Sequence, residues 1–233
     1  MKAIMDQNKR DEVKSVRKIK PTRRSVSGIY SFRGHTPIQF ESTLERDFII
    51  RNEFSPSVVD IVSQPFTLPF NALNGRCYEY TPDFLIRFSL DNESFSHHQI
   101  PILVEVKPYK DWHKNWRKWM PKWKAAWRYA RERGYEFHIF DEYRIRDQRF
   151  KNIRFLERYK QYRYPEAESQ LILKTLSEMG GAPFHYILAR HYRGLYVAEG
   201  IAHVWHLLAV RRLECDIDRP LNMDTEFWIP NNE

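Results

Sequence analysis

The sequence predicts an α/β protein in two parts: a mixed sheet flanked by helices, followed by a small winged-helix domain. Three observations carry this. Between residues 42 and 140, short apolar runs bounded by turn residues alternate with helical periodicity. After Tyr164-Pro165 the pattern changes to three short amphipathic stretches. Two strand-like segments around Arg219-Pro220 then follow.

In chain order, residues 1–26 are polar and basic, with Lys9, Arg10, Lys14, Arg17, Lys18, Lys20, Arg23 and Arg24. They hold too little apolar material to fold alone and are expected to form a flexible arm. Such an arm can also settle on phosphates when DNA is present. The sheet domain is expected over residues 27–163. Residues 42–54 read as a helix. Ser42 stands at an N-cap position, Glu45 three residues later completes a capping box, and Leu44, Phe48 and Phe54 share a face. Val58–Val62 and Phe66–Phe70 read as strands interrupted by Gln64-Pro65, and Asn74-Gly75 marks a hairpin turn. Cys77–Phe88 and Ile100–Val106 read as two more strands, joined by a polar loop. His97 and His98 in that loop have no partner at ligand spacing and are expected at the surface.

Tyr109–Gly134 reads as helical. Trp112, Trp116, Trp119, Trp123 and Trp127 recur at spacings that make one helix face, which predicts packing on the sheet. Pro121 is expected to break or kink the run. The opposite face carries Lys110, Lys114, Arg117, Lys118 and Lys122, a candidate DNA-contacting surface. A solvated face has the same pattern, so both readings stand. Tyr135–Phe140 reads as a buried strand and residues 149–164 as a connecting helix.

Residues 164–233 are expected to form the winged helix. Its helices are Glu166–Met179, Pro183–Tyr192 and Tyr196–Val210, and its strands Arg211–Asp218 and Asn222–Ile229. The third helix carries Glu199, His203 and His206, and the hairpin carries Glu214, Asp216, Asp218, Asp224 and Glu226. That charge favours a protein partner over DNA.

Composition sets bounds. The 233 residues are 42% hydrophobic and 15% aromatic, ample for packed cores, and the net charge of +8 suits a polyanion such as nucleic acid. Two cysteines, Cys77 and Cys215, exclude a disulfide framework and a cysteine zinc site. No apolar run has spanning length and no signal-peptide core occurs, so a soluble cytoplasmic protein with no membrane partner is expected.

The chemistry concentrates in Tyr80–Ile86 and Ile102–Pro108. Each run carries one carboxylate, in Pro82-Asp83 and in Glu105-Val106-Lys107. Alternation in a strand puts Glu105 and Lys107 on one face and Val104 and Val106 on the other. Paired as a hairpin, the runs bring Asp83 and Glu105 together at one end of the sheet. Two acidic oxygen donors and an ammonium can hold a hard divalent cation, a water and a phosphate. This is the PD-(D/E)XK nuclease pattern. A turn after a proline and a solvated edge strand would present the same residues without chemistry. Glu45 either caps its helix or faces the Asp83–Glu105 cluster, and the pattern does not separate the two.

Five stretches together resemble the TnsA endonuclease family of cut-and-paste transposons. They are Phe40–Phe48, Ser63–Thr67, Tyr80–Leu85, Val104–Pro108 and Phe150–Leu156. The resemblance implies a restriction-endonuclease-like sheet domain and places Glu45, Asp83, Glu105 and Lys107 at catalytic positions. Some members of that family carry Gln where this chain has Glu105, and Glu is the better metal ligand. The implied metal is Mg²⁺, with Mn²⁺ acceptable to the same donors, held by Asp83, Glu105, the carbonyl of Val106 and Glu45. The family cuts the non-transferred strands at the 5′ ends of the transposon. A TnsB-type transposase handles the 3′ ends and places it, and a TnsC-type ATPase regulator is expected to bind the C-terminal domain. A stand-alone restriction or repair nuclease, and an inactive adaptor linking DNA to partners, are the rival readings.

Overall fold

A computed structural model describes residues 26–89, 99–192 and 194–230. The basic arm, apart from Val26, and His97 and His98 lie outside the described residues. The chain divides into two compact units, one ending at Ile145 and the other beginning at Arg146.

In the first unit, β1 (Gly28–Phe32) and β2 (Thr36–Phe40) form an antiparallel hairpin that sequence reading missed. Pro37 hides the second strand, since proline is tolerated only where no ladder N–H is needed. Helix α1 (Thr43–Glu53) follows its N-cap Ser42. Next come β3 (Val58–Ser63), β4 (Leu68–Asn71), β5 (Cys77–Tyr80), β6 (Phe84–Phe88) and β7 (Ile102–Val106). The expected single strand Cys77–Phe88 is therefore two. Its halves join different sheets, because β5 pairs with β4 while β6 pairs with β3 and β7. The break falls at Thr81-Pro82-Asp83, where proline has no N–H to donate. Helix α2 (Tyr109–Glu132) then crosses over to β8 (Glu136–Phe140), and α3 (Glu142–Ile145) ends the unit.

The main sheet has the order β3-β6-β7-β8, antiparallel except for the β7–β8 pair. Strand β7 is thus internal, and both its faces are covered. Val104 and Val106 join Phe48, Ile49, Phe84 and Ile86 in a core on the α1 side. Leu103 joins Leu68, Tyr80, Trp123, Ala126 and Ala130 on the α2 side. Alternation places Glu105 with Leu103, under α2.

Helix α2 runs unbroken through Pro121. Trp119 and Trp123, on either side of the proline, pack in the α2-side core and hold both halves to the sheet. The tryptophan face is only partly core. Trp123 is buried and Trp112 and Trp119 pack against its cluster, whereas Trp116 and Trp127 remain 43% and 47% exposed. Each step of four residues turns the side chain about 40° around the axis, which carries those two off the sheet-facing side.

In the second unit, α4 (Gln148–Leu156) was expected to belong with the sheet domain. Its Asn152 amide donates to the carbonyls of Ile217 and Arg219, and Phe155 meets Trp205 edge-on. The unit boundary therefore precedes α4. Helix α5 (Glu166–Met179) stops at Gly180, whose φ of 77° is the left-handed cap glycine tolerates best. Strand β9 (Ala182–Pro183), α6 (Phe184–His191), α7 (Val197–Ala209) and β10 (Glu226–Phe227) follow. Strand β10 pairs with β9, and a single bridge joins Glu214 to Trp228. The two full strands expected over 211–229 reduce to these contacts. Asp216, Asn222 and Thr225 side chains capture nearby backbone N–H groups, an alternative to a ladder. No helix among the described residues is long and apolar enough to cross a membrane.

Candidate active site

Asp83 sits one residue before β6, and three hydrogen bonds fix it. Its N–H donates to Val104 O at 3.0 Å, its carbonyl accepts from Gln64 N–H at 2.8 Å, and its Oδ2 accepts from Val106 N–H at 2.7 Å. Gln64 reaches that bond with φ at 47°, a left-handed backbone unusual for a side chain of its size. The β6–β7 register, Phe84 opposite Val104, therefore brings Asp83 to the end of β7 where Glu105 and Val106 lie. Lys107 N–H continues the β7–β8 ladder by donating to Phe140 O.

The Lys107 ammonium stands 3.3 Å from Asp83 Oδ2, 3.1 Å from Val106 O and 3.5 Å from Glu105 Oε1. These are three of the four donors expected around a cation, Glu45 being the fourth, and here they converge on one. The ammonium stands in for a positive ion among oxygen donors, so the set fits a hard divalent metal. Among the described residues no group of three or more His, Cys, Asp or Glu side chains is arranged to hold a metal. The candidate donors are accordingly two carboxylates and a carbonyl, and Glu45 is not gathered with them.

Glu45 is engaged as a cap. Its Oε2 accepts from Glu41 N–H at 2.7 Å and its Oε1 from the Ser42 hydroxyl at 3.0 Å, while Ser42 Oγ accepts from Glu45 N–H at 3.1 Å. Burial raises its pKa, and the charge of Lys107 opposes that rise. Glu45 in turn contributes to the fields at Asp83 and Lys107, so the cap borders the cluster.

Glu105 is 1% exposed, not on a solvated strand face. Its Oε2 accepts from the Tyr80 hydroxyl at 2.5 Å and its Oε1 from the Lys122 ammonium at 2.7 Å. Burial alone would raise its pKa, but the charges of Lys107 and Lys122 and these hydrogen bonds hold it below the ordinary value. Asp83 behaves oppositely. Burial, together with the Glu105 charge, pushes its pKa up to about 8 despite Lys107. Burial opposes the charge on Lys107, but Asp83, Glu105 and Glu45 outweigh it and raise its pKa. Tyr80 is held well above the ordinary phenol value by burial and by Glu105.

Of the expected basic face, Lys110, Lys114, Arg117 and Lys118 are exposed on the outside of α2. Lys122 is not. It turns inward to Glu105, with its side chain 17% exposed and its ammonium 4.6 Å from the Tyr80 ring centroid. It lies one turn beyond Trp119, on the flank of the sheet-facing side, from which a lysine stem reaches the strand. Helical spacing measured from the tryptophans could have separated it from the outer lysines. Tyr80, three residues before Asp83, was also missed. A buried tyrosine needs a partner for its hydroxyl, and a neighbouring carboxylate supplies one.

Two family models match the chain in order. One is described as TnsA-like endonuclease N terminal and matches residues 55–142, and the other as TnsA endonuclease C terminal and matches residues 144–217. No curated protein matches it. Asp83, Glu105, Lys107 and Lys122 fall inside the first match, and Glu45 precedes it. The two matches meet within two residues of the boundary between the compact units, and a mixed sheet with flanking helices fits a nuclease fold. Matched on both sides of that boundary over residues 55–217, the chain belongs to the TnsA endonuclease family.

Proposed function

We propose that the protein is a metal-dependent DNA endonuclease, the subunit of a cut-and-paste transposase that cuts the non-transferred strands at the 5′ transposon ends. The observation that carries this is the convergence of Asp83 Oδ2, Glu105 Oε1 and Val106 O on one cationic nitrogen. Asp83, Glu105 and the Val106 carbonyl would hold Mg²⁺ or Mn²⁺. Such an ion, when bound, polarises the phosphate and lowers the pKa of a coordinated water. Lys107, displaced from the carboxylates, orients that water and donates to phosphate oxygen as negative charge builds there. The β6–β7 ladder fixes the two carboxylates in register before substrate arrives. Glu45 acts on Lys107 and Asp83 through its charge. Lys110, Lys114, Arg117 and Lys118 offset the charge of the DNA backbone.

The second unit is read as a winged helix that binds a protein. Its three helices α5–α7 and the pairing of residues 182–183 with 226–227 support that topology. Helix α7 is poorly suited to read a DNA groove. His203 is fully buried between the Ser169 and Tyr192 hydroxyls, and His206 bonds the Tyr159 carbonyl. Glu214, Asp216, Asp218, Asp224 and Glu226 give the unit an acidic segment that repels phosphate. A TnsC-type ATPase regulator is the proposed occupant, with a TnsB-type transposase placing the nuclease at the ends.

Plasmid cleavage with Mg²⁺, with and without the partner transposase, tests the assignment. Cutting that needs the partner and is lost in Asp83→Ala is the expected result. Unaided nicking at many sites would favour a stand-alone nuclease, and no cutting under either condition an adaptor.

A further inference from the structure

Two ammoniums share one oxygen in this site. Lys122 lies 2.7 Å and Lys107 3.5 Å from Glu105 Oε1, while Tyr80 occupies Oε2. One cation suffices to neutralise Glu105, and Lys107 already stands between it and Asp83. A buried ion pair adds little stability once desolvation is counted, so stability does not explain the second lysine. A dication among Asp83, Glu105 and Val106 O would repel both ammoniums.

Lys122 is not sealed in, since 17% of its side chain is exposed. Its ammonium lies over the rings of Tyr80 and Trp119, 4.6 Å and 5.3 Å from their centroids. Lys110, Lys114, Lys118 and Lys122 follow one another at intervals of four along α2. Each step rises about 6 Å and turns partway around the helix. The row therefore winds from the exposed side, where Lys110, Lys114 and Lys118 face solvent, to Glu105, where Lys122 ends it.

We propose that Lys122 is a substrate ligand held in reserve: it neutralises Glu105 while DNA is absent and transfers to a backbone phosphate when DNA enters, which frees Glu105 for the metal. Metal and DNA then bind cooperatively, and the ion is held firmly only with substrate in place. This rests on the endonuclease reading above.

The test is Mn²⁺ binding to the full chain by calorimetry, with and without a duplex, in wild type and in Lys122→Met and Lys122→Gln. Both substitutions keep a stem of similar length and remove the charge. The expected result is Mn²⁺ affinity without DNA at least about tenfold tighter in both variants, a change of about 1.4 kcal/mol. The gain that DNA gives the wild type should shrink accordingly, and strand cleavage should fall. A lysine that merely props Glu105 would give weaker or unchanged Mn²⁺ binding on removal, and that result overturns the proposal. Tight wild-type binding that DNA does not improve also overturns it while leaving the nuclease reading intact. Absence of Mn²⁺ binding in all three proteins, with DNA present, would defeat both readings together.

Discussion

The hydroxyl of Tyr80 offers a clean perturbation of the site. Tyr80→Phe removes one oxygen, keeps the ring in its core and leaves no cavity for the neighbours to fill. It deletes the 2.5 Å bond to Glu105 Oε2, made between two buried side chains. Water has no easy access to replace it. Hydrogen bonds to charged groups contribute about 1.5–3 kcal/mol, and a buried acceptor left unpaired costs the upper part of that range. For a chain of this size each kcal/mol moves the melting temperature by about 2–4 °C, so a loss of about 2–3 kcal/mol should lower the first unit's transition by about 4–12 °C. Tryptophan fluorescence reports that unit well, since five of the seven tryptophans lie on α2. The pH dependence has a definite sign. Glu105 has a folded pKa below its ordinary 4.5, so the deficit is present above that pH and fades as pH falls through the folded value. Tyr78→Phe, on an exposed tyrosine of the same strand, is the control and should melt like wild type. A Tyr80→Phe protein that also melts like wild type at pH 7 would refute the claim that this hydroxyl holds Glu105.

Glu45→Gln keeps an acceptor for Ser42 or Glu41 but removes the charge near Lys107, so near-normal melting with cleavage reduced more than about tenfold is expected, a barrier change of about 1.4 kcal/mol. Unchanged cleavage would leave Glu45 as a cap alone. Because the Asp83 pKa is about 8 without metal, binding Mn²⁺ at pH 7 should release a proton, and calorimetry in buffers of different ionisation enthalpy reads it. The release should vanish above about pH 9, where the carboxyl is already ionised. Buffer-independent heats at pH 7 would show that Asp83 is ionised beforehand. Neutralising Lys114, Arg117 and Lys118 together should flatten the dependence of DNA affinity on salt by about 0.9 in log–log slope for each phosphate these side chains had neutralised. An unaltered slope would mean that this face is only solvated.

What could be read beforehand follows from how far each interaction reaches along the chain. Asp83, Glu105 and Lys107 were legible because strand alternation and one hairpin pairing suffice to bring them together, and the β6–β7 register does so. Glu45 was legible as a cap because its partners, Glu41 and Ser42, are near neighbours. Lys122 was not, since its partner lies seventeen residues away on another element and its side of α2 is set by packing against the sheet. The same holds for α4, whose allegiance is decided by Asn152 bonding carbonyls sixty-five and sixty-seven residues on. The strands expected near the C-terminus failed for a local reason. Their Asp, Asn and Thr side chains offered the backbone closer partners than a facing strand.

The internal position of β7 has a mechanical consequence. Glu105 is carried by β7, strand-paired on two edges and covered on two faces, and Asp83, just ahead of β6, is hydrogen-bonded to Val104 and Val106 of the same strand. Amide hydrogens there should exchange only when the whole unit opens. The two cations sit at the ends of long single-bonded stems, which can change rotamer without breaking any strand pairing. The site thus joins a stiff carboxyl frame to positive arms on separate stems. Gentle warming should leave the frame intact until the unit melts, so metal capacity and tertiary structure should disappear together.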